Sequence, residues 1–236
     1  MTTTPTIPRP RTPSDSRNDS PPRAASVLAV TARPGQESAD LGGLLYTFRR
    51  AGASLSLLSL TRGEAAGQNS ASARLEAVRP WETQLAASIL GIRSIAIANY
   101  RDGGLPEYPT AELAERIGRA IRESSADLVV VVAPEAGDRA DAVVARAAEA
   151  AAAAAGVSAI AHTRPGVPGA WTLDLGADAE TARAIQKSAA AAHASQSEAL
   201  PALIGRLDLL GRGETLRWLQ FPRQIPAPRG EALATA

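Results

Sequence analysis

The sequence predicts an α/β protein: a three-layer, Rossmann-like, doubly wound and mostly parallel sheet. Three observations predict it. Residues 26–59 read as strand, turn, helix and strand; short apolar runs recur further along the chain; and amphipathic or alanine-rich stretches of helical length separate those runs.

The first run, Val27-Leu28-Ala29-Val30, carries no charge and is flanked by small residues, the pattern of a strand buried on both faces. After a turn from Thr31, residues 37–50 place Ala39, Leu41, Leu44, Leu45 and Phe48 at helical spacing, and the period stops near Gly52. Residues 55–60 form the next strand. This βαβ unit puts its first turn where doubly wound folds hold their ligands. A loop over residues 61–67 leads into a long helix over 72–90, and Pro80 inside its period predicts a kink or a fresh start. Residues 95–98 form a short strand ending in Tyr100-Arg101-Asp102-Gly103-Gly104-Leu105. Residues 110–124 form an amphipathic helix with Thr110 as N-cap and Glu112 and Glu115 near its positive end. Residues 127–133 are the most hydrophobic strand and belong at the sheet centre. The loop 134–138 opens an alanine-rich helix that ends before Gly156. Strands over 157–162 and 171–175, helices over 178–193 and 200–210, and a strand over 216–221 complete the chain. No internal repeat is visible.

Composition narrows the function classes. The chain has 236 residues, 45% of them hydrophobic, enough for one α/β domain over residues 25–222. No apolar run reaches 18 residues, so no membrane span is expected. Net charge is +1, which gives no reason to expect nucleic-acid binding. There is no cysteine, and hence neither disulfide nor thiolate chemistry. Residues 1–24 are rich in Pro, Ser, Thr and Arg and bury too little to offset ordering entropy, so a disordered tail is expected there, with a second flexible tail over 223–236. The first tail lacks the apolar segment of a secretory signal, and a cytoplasmic location is expected.

The turn after the first strand does not fit a phosphate cradle. Its glycines are out of order for G-x-G-x-x-G, and no G-K-[ST] follows. Ala32-Arg33-Pro34-Gly35-Gln36-Glu37-Ser38-Ala39-Asp40-Leu41-Gly42-Gly43 instead resembles A-H-P-D-D-E-S-L-G-C-G-G, the opening motif of the PIG-L/LmbE family of zinc-dependent N-acetylglucosaminyl deacetylases. Further stretches resemble that family in the same order: Thr61-Arg62-Gly63-Glu64-Ala65-Ala66-Gly67, the R-x-x-E of Arg79 and Glu82, Asp102-Gly103-Gly104-Leu105, and the H-x-S-Q of His193-Ala194-Ser195-Gln196. The likeness runs from about residue 26 to 221.

The resemblance implies a pocket at the strand ends, but the family's chemistry is not carried by the matching residues. Arg33 stands where the family has a zinc histidine, Gly35 where it has a general-base aspartate, and Gln36 where it has a zinc aspartate. Ala136-Gly137-Asp138-Arg139 stands for H-P-D-H, so Arg139 replaces the third zinc ligand and Asp138 alone survives. At an effective dielectric of about 20, a divalent ion about 4 Å from one guanidinium loses roughly 8 kcal/mol. Arginine does not deprotonate to relieve that. Zinc, the family's cofactor, is therefore expected to be absent, and no metal ligand is assigned. The residues left for a rebuilt metal site are Glu37, Asp40, Asp102, Asp138, Asp141, His162 and His193.

The expected function is a non-catalytic relative that keeps a pocket for a small sugar-like or anionic ligand. Asp138 and His193 are the surviving pocket positions, and Arg33, Glu37, Arg79, Asp102 and Arg139 are candidate contacts. The alternatives are an active metal-dependent deacetylase with a rearranged site, a structural or regulatory partner of an active paralogue, or a homo-oligomer. The bland reading is that these polar residues only satisfy loop backbones. Arg79 either contacts ligand or pairs with Glu82 on an exposed helix face. Arg33 and Arg139 are expected to converge near the vacated metal position. They then need a negative group between them: Glu37, Glu135 or Asp138, or a bound anion held with the help of helix N-termini.

Overall fold

The computed structural model describes residues 17–18, 21–64, 72–133 and 138–221. Its eight-stranded sheet runs in the order β1-β7-β8-β6-β5-β2-β3-β4. The strands are β1 (Arg17–Asn18), β2 (Ser26–Thr31), β3 (Ser54–Thr61), β4 (Ser94–Tyr100), β5 (Leu128–Val132), β6 (Ser158–Thr163), β7 (Ala170–Asp174) and β8 (Gly213–Gln220). The helices are α1 (Gln36–Ala39), α2 (Gly42–Arg50), α3 (Ser72–Leu90), α4 (Thr110–Ser124), α5 (Arg139–Ala155), α6 (Ala179–Ala191) and α7 (Leu200–Leu209). All neighbouring strands are parallel except β8, which is antiparallel to both β6 and β7.

The apolar runs sort onto two faces as strand alternation requires. Leu28 and Val30 of β2 join Val129 and Val131 under α4 and α5, with Leu113, Ile117, Val143 and Val144. Val27 and Ala29 point the other way, to Leu41, Leu44, Phe48, Ala86, Leu90 and Ala189 of the opposite layer. β5, fully buried, lies inside the sheet between β6 and β2, as its composition predicts. From β2 the chain winds outward through β3 and β4, then returns to β5 and β6 on the other side. The switch point is therefore between β2 and β5, whose ends align through Val30 and Val131.

Four local expectations fail for physical reasons. The helix expected over 37–50 is two helices, α1 and α2. Its break at Asp40 and Leu41 lets Leu41 N–H reach the Gln36 carbonyl at 3.2 Å and seats two glycines against α6. A Cβ on Gly42 would meet Gln186 Cγ at 2.7 Å, and one on Gly43 would meet Glu214 and Arg183. α3 runs through Pro80 without interruption, anchored by its buried C-terminal half at Ala86, Ala87 and Leu90. Thr110 is the first helical residue of α4; Pro109 takes the cap position, and no side chain caps that end. Arg17–Asn18, inside the stretch expected to be unordered, add a parallel strand to the edge of β7, which offers unpaired backbone groups. The rest of that stretch up to residue 20, and residues 222–236, lie outside the described residues. Among the described residues no helix is long and apolar enough to cross a membrane.

Candidate functional site

The loop after β2 is folded by its own side chains. Gln36 Oε1 accepts from the backbone N–H groups of Ala32 at 2.9 Å and Arg33 at 3.3 Å, and its Nε2 donates to Asp141 Oδ1 at 2.8 Å. Gly35 takes φ 99° to turn the chain into α1, and its N–H donates to Glu37 Oε2 at 2.8 Å. Glu37 Oε1 accepts from Ser38 Oγ at 3.1 Å and lies 2.6 Å from His193 Nε2. A carboxylate only accepts, so the proton of that pair sits on Nε2. Nδ1 of His193 is buried without a hydrogen-bond partner among the described residues.

Arg33 and Asp138 form an ion pair at 2.6 Å across the switch point, linking the β2 loop to the start of α5. Asp138 also caps α5 by accepting from Ala140 N–H at 2.8 Å. Burial raises the Asp138 carboxyl, but the Arg33 hydrogen bond, the Ala140 N–H and the Arg33 charge outweigh it and hold the group below the usual range. For Arg33, burial works against the charged form, and Asp138 more than restores it. Asp141 is shifted upward, chiefly by burial and against its bond from Gln36.

The other wall is built from the ends of β3 and β4. Thr61 Oγ1 donates to the Ala32 carbonyl at 2.9 Å and lies 3.4 Å from Asp102 Oδ1. Asp102 N–H donates to Glu64 Oε1 at 2.9 Å. Arg79 is 2% exposed and donates to the Gly63 carbonyl. Burial lowers its pKa against the charges of Asp102, Glu82 and Glu64. Glu82 is also buried, and accepts from Ser195 N–H at 2.6 Å and Ser195 Oγ at 2.7 Å. The reading of Arg79 and Glu82 as a pair on an exposed helix face is therefore overturned: each ties α3 to a different loop.

Of the residues singled out in the sequence, Arg33, Gln36, Glu37, Asp138 and His193 come together. Arg33, Pro34, Gly35, Gln36, His193 and Gln196 line a cavity of about 180 Å³. Arg79 and Asp102 stand on the adjoining wall. Arg139 does not join: it is exposed on the first turn of α5, with no ion pair among the described residues. Its expected convergence with Arg33 fails because Asp138, fixed by capping α5, already fills the Arg33 guanidinium. Glu135 lies outside the described residues. Among the described residues no three His, Cys, Asp or Glu side chains cluster as a metal site.

Sequence reasoning missed a second buried network. Glu214 Oε2 lies 2.6 Å from His162 Nε2, and Oε1 lies 2.5 Å from Arg183 Nη1. Arg183 also donates to Gln186 and to the carbonyls of Gly211 and Gly213. The available signal was faint: Arg183 and Gln186, three residues apart, share one face of an alanine-containing helix.

The conformation of Gly35 carries a consequence. A Cβ there would sit 3.1 Å from Gln196 Nε2, on a backbone at φ 99°. Gly35→Asp is expected to cost about 1–2 kcal/mol, the penalty for a left-handed L-residue. Chemical denaturation checks it, and Gly35→Ala should lose a similar amount.

The fold recurs in solved structures. N,N'-diacetylchitobiose deacetylase from Pyrococcus horikoshii superposes with TM-score 0.63 at 16% identity, over 83% of this chain and 84% of that one. A deacetylase of the teicoplanin biosynthesis pathway gives 0.67 at 17% identity, over 82% and 96%. GalB, a 4-carboxy-2-hydroxymuconate hydratase from Pseudomonas putida KT2440, gives 0.66 at 18%, over 84% and 97%. At such identities the likeness establishes the fold, and that fold carries both a deacetylase and a hydratase. No curated protein matches the sequence. The family model described as PIG-L, GlcNAc-PI de-N-acetylase, matches residues 28–162, from within β2 to within β6. That span holds the switch-point loops and more than half of the sequence, and the chain belongs to the PIG-L family.

Proposed function

We propose that this protein is a zinc-free, non-hydrolytic member of the PIG-L family whose switch-point pocket binds a small sugar-like molecule. The observation that carries this reading is the state of Arg33 and Gln36. A catalytic zinc needs three protein ligands from His, Asp, Glu or Cys and an open position for water. Here Arg33 is a permanent cation already paired at 2.6 Å with Asp138, and both ends of the Gln36 amide are committed, to two backbone N–H groups and to Asp141. Gly35 offers no side chain to take a proton from water. The donor set at this position does not fit zinc.

What remains suits a polyol. The pocket is small and edged by the Arg33 guanidinium, the Gln196 amide and Asp40, groups that bond hydroxyls as donors and acceptors. Asp138 already neutralises Arg33, which favours an uncharged sugar over an anion. Elemental analysis of freshly purified protein after dialysis against a weak chelator is expected to give far less than one zinc per chain. Acetate release from N-acetylglucosaminyl substrates is expected to stay at background. Stoichiometric zinc, or turnover abolished by chelation, would sink the proposal.

A further inference from the structure

From Val78 to Leu90, α3 has two charged residues, Arg79 and Glu82, and both are buried. Arg79 donates to the Gly63 carbonyl and Glu82 accepts from Ser195, so both charges are turned inward. Thr83, Ala86, Ala87 and Leu90 complete the buried side. What this stretch shows to solvent is Val78, Trp81, Gln84, Leu85 and Ser88. Val78 is 44% exposed, Trp81 73% and Leu85 55%, at spacings i, i+3 and i+7, so the three form one stripe. Single apolar residues scattered on a surface need no explanation. A contiguous stripe with tryptophan at its middle and no charge beside it on the helix does.

Charge decides what covers it. A charged partner surface would lose its hydration against this stripe and gain no counter-charge. Among the described residues five large hydrophobic side chains are exposed; the stripe holds three, while Leu209 and Phe221 lie on α7 and just past β8. The uncharged apolar face that the chain itself offers to this stripe is therefore the same stripe on a second copy. A contact of like with like about a two-fold axis closes at two copies. Arg49 of α2 fixes the orientation. It sits at the C-terminal end of α3, where Nη1 donates to the Ile89 carbonyl at 3.4 Å. An antiparallel crossing of the two α3 helices sets the two guanidiniums at opposite ends of the contact, whereas a parallel one brings them together. In the antiparallel crossing Trp81 of each copy packs on Leu85 of the other, and Val78 meets the small Ser88.

We propose that the outer face of α3 is a homodimer interface, with two copies crossing antiparallel through Val78, Trp81 and Leu85. Area sets its strength. An aromatic side chain buries about 150–250 Å². One tryptophan with a valine and a leucine thus makes the centre of an interface, and covers less than the ~800 Å² per partner of a standard one. The dimer is accordingly reversible, with a dissociation constant on the order of 10 µM. It does not depend on what the switch-point pocket binds.

Sedimentation velocity of the full chain over about 1–100 µM is expected to show monomer at the low end and dimer at the high end. Trp171 is buried and Trp218 partly buried, so acrylamide quenching of tryptophan fluorescence reports mainly on Trp81. Quenching is expected to fall as the dimer forms. Leu85→Glu sets two unpaired carboxylates beside the axis and is expected to weaken association at least about a hundredfold, and Trp81→Ala at least about tenfold. Both positions are exposed, so each variant should keep the wild-type circular dichroism and cooperative unfolding. A wild-type chain that stays monomeric over the whole range overturns the proposal. So does a dimer that leaves the quenching unchanged, or one of equal strength in either variant, since the copies then meet elsewhere. The first two measurements use wild-type protein and need no variant to fold.

Discussion

Arg183→Ala is expected to destabilise the protein by about 3–5 kcal/mol, the range for breaking a buried ion pair by removing one partner. The side chain of Arg183 is 9% exposed and that of Glu214 only 1%, so solvent cannot replace what is lost. The substitution also strips donors from the carbonyls of Gly211, at 3.1 Å, and Gly213, at 2.9 Å. Arg183→Lys should recover part of the loss, because one ammonium cannot span the carboxylate and both carbonyls as the guanidinium fork does. Replacing the pair together, as Arg183→Met with Glu214→Leu, should cost less than Arg183→Ala alone, since no charge is left stranded. The same network sets a pH limit. Burial pushes the Glu214 carboxyl up, but the hydrogen bond and charge of His162, with those of Arg183, overcome it and leave the group below its ordinary value. A depressed carboxylate stabilises the fold above the unfolded-state pKa, and that stability is lost as pH falls through the folded-state value. Glu214→Gln should flatten this acid limb in urea titrations across the carboxylate range. An unchanged limb would mean that other carboxylates carry it.

The parts of this molecule legible in the sequence are those governed by apolar periodicity. β2, β3, β5, β6 and β7 fall within about a residue of their expected bounds; for β2, β3 and β5 this is because a run buried on both faces has no other stable place. The parts not legible are those where one polar side chain decides between two local options. Nothing local distinguishes an unbroken helix over 37–50 from α1 and α2; the break follows from Gly42 and Gly43 packing against Gln186, Arg183 and Glu214, more than 130 residues away in the chain. Arg79 reads in sequence either as a ligand contact or as a partner of Glu82 on an exposed helix face, yet both residues are buried because loops 63–64 and 195–196 close over them. The resemblance implies a pocket at the strand ends; Arg33, Glu37, Asp138 and His193 come together there, with Asp102 on the adjoining wall. The resemblance places Arg33 and Arg139 together at the vacated metal position, with Glu37, Glu135 or Asp138 as the negative group; the N-cap geometry of α5 gives Asp138 to Arg33 and leaves Arg139 on the surface. A capping residue is positioned by its own helix, so little further ordering is needed for its carboxylate to meet Arg33.

The same rule makes Glu37 the keystone of the pocket. Its carboxylate is fully buried and accepts from the Gly35 N–H at 2.8 Å, from Ser38 Oγ at 3.1 Å and from His193 Nε2 at 2.6 Å. Glu37→Ala strands the Gly35 N–H and leaves His193 Nε2 with only the Ser38 hydroxyl, 3.5 Å away, while Nδ1 already has no partner among the described residues. Each stranded buried donor costs about 1–3 kcal/mol, and relaxation of the Ser38 hydroxyl recovers some of it, so the expected loss is about 3–5 kcal/mol. Glu37→Gln keeps an acceptor for Gly35 or for His193 but presents an N–H where the other needs an oxygen, and about 1–3 kcal/mol should be lost. His193→Ala in the Glu37→Ala background should then cost less than His193→Ala in the wild type, with a coupling of about 1–3 kcal/mol between two residues that share one bond. Urea denaturation of the four proteins gives this cycle directly. Additive effects would mean that Glu37 acts through the Gly35 turn alone and that His193 stands apart from it. In that case the proposed sugar binding should survive His193→Ala unchanged. A measured coupling with parallel loss of binding would place the pair in the pocket wall as one unit.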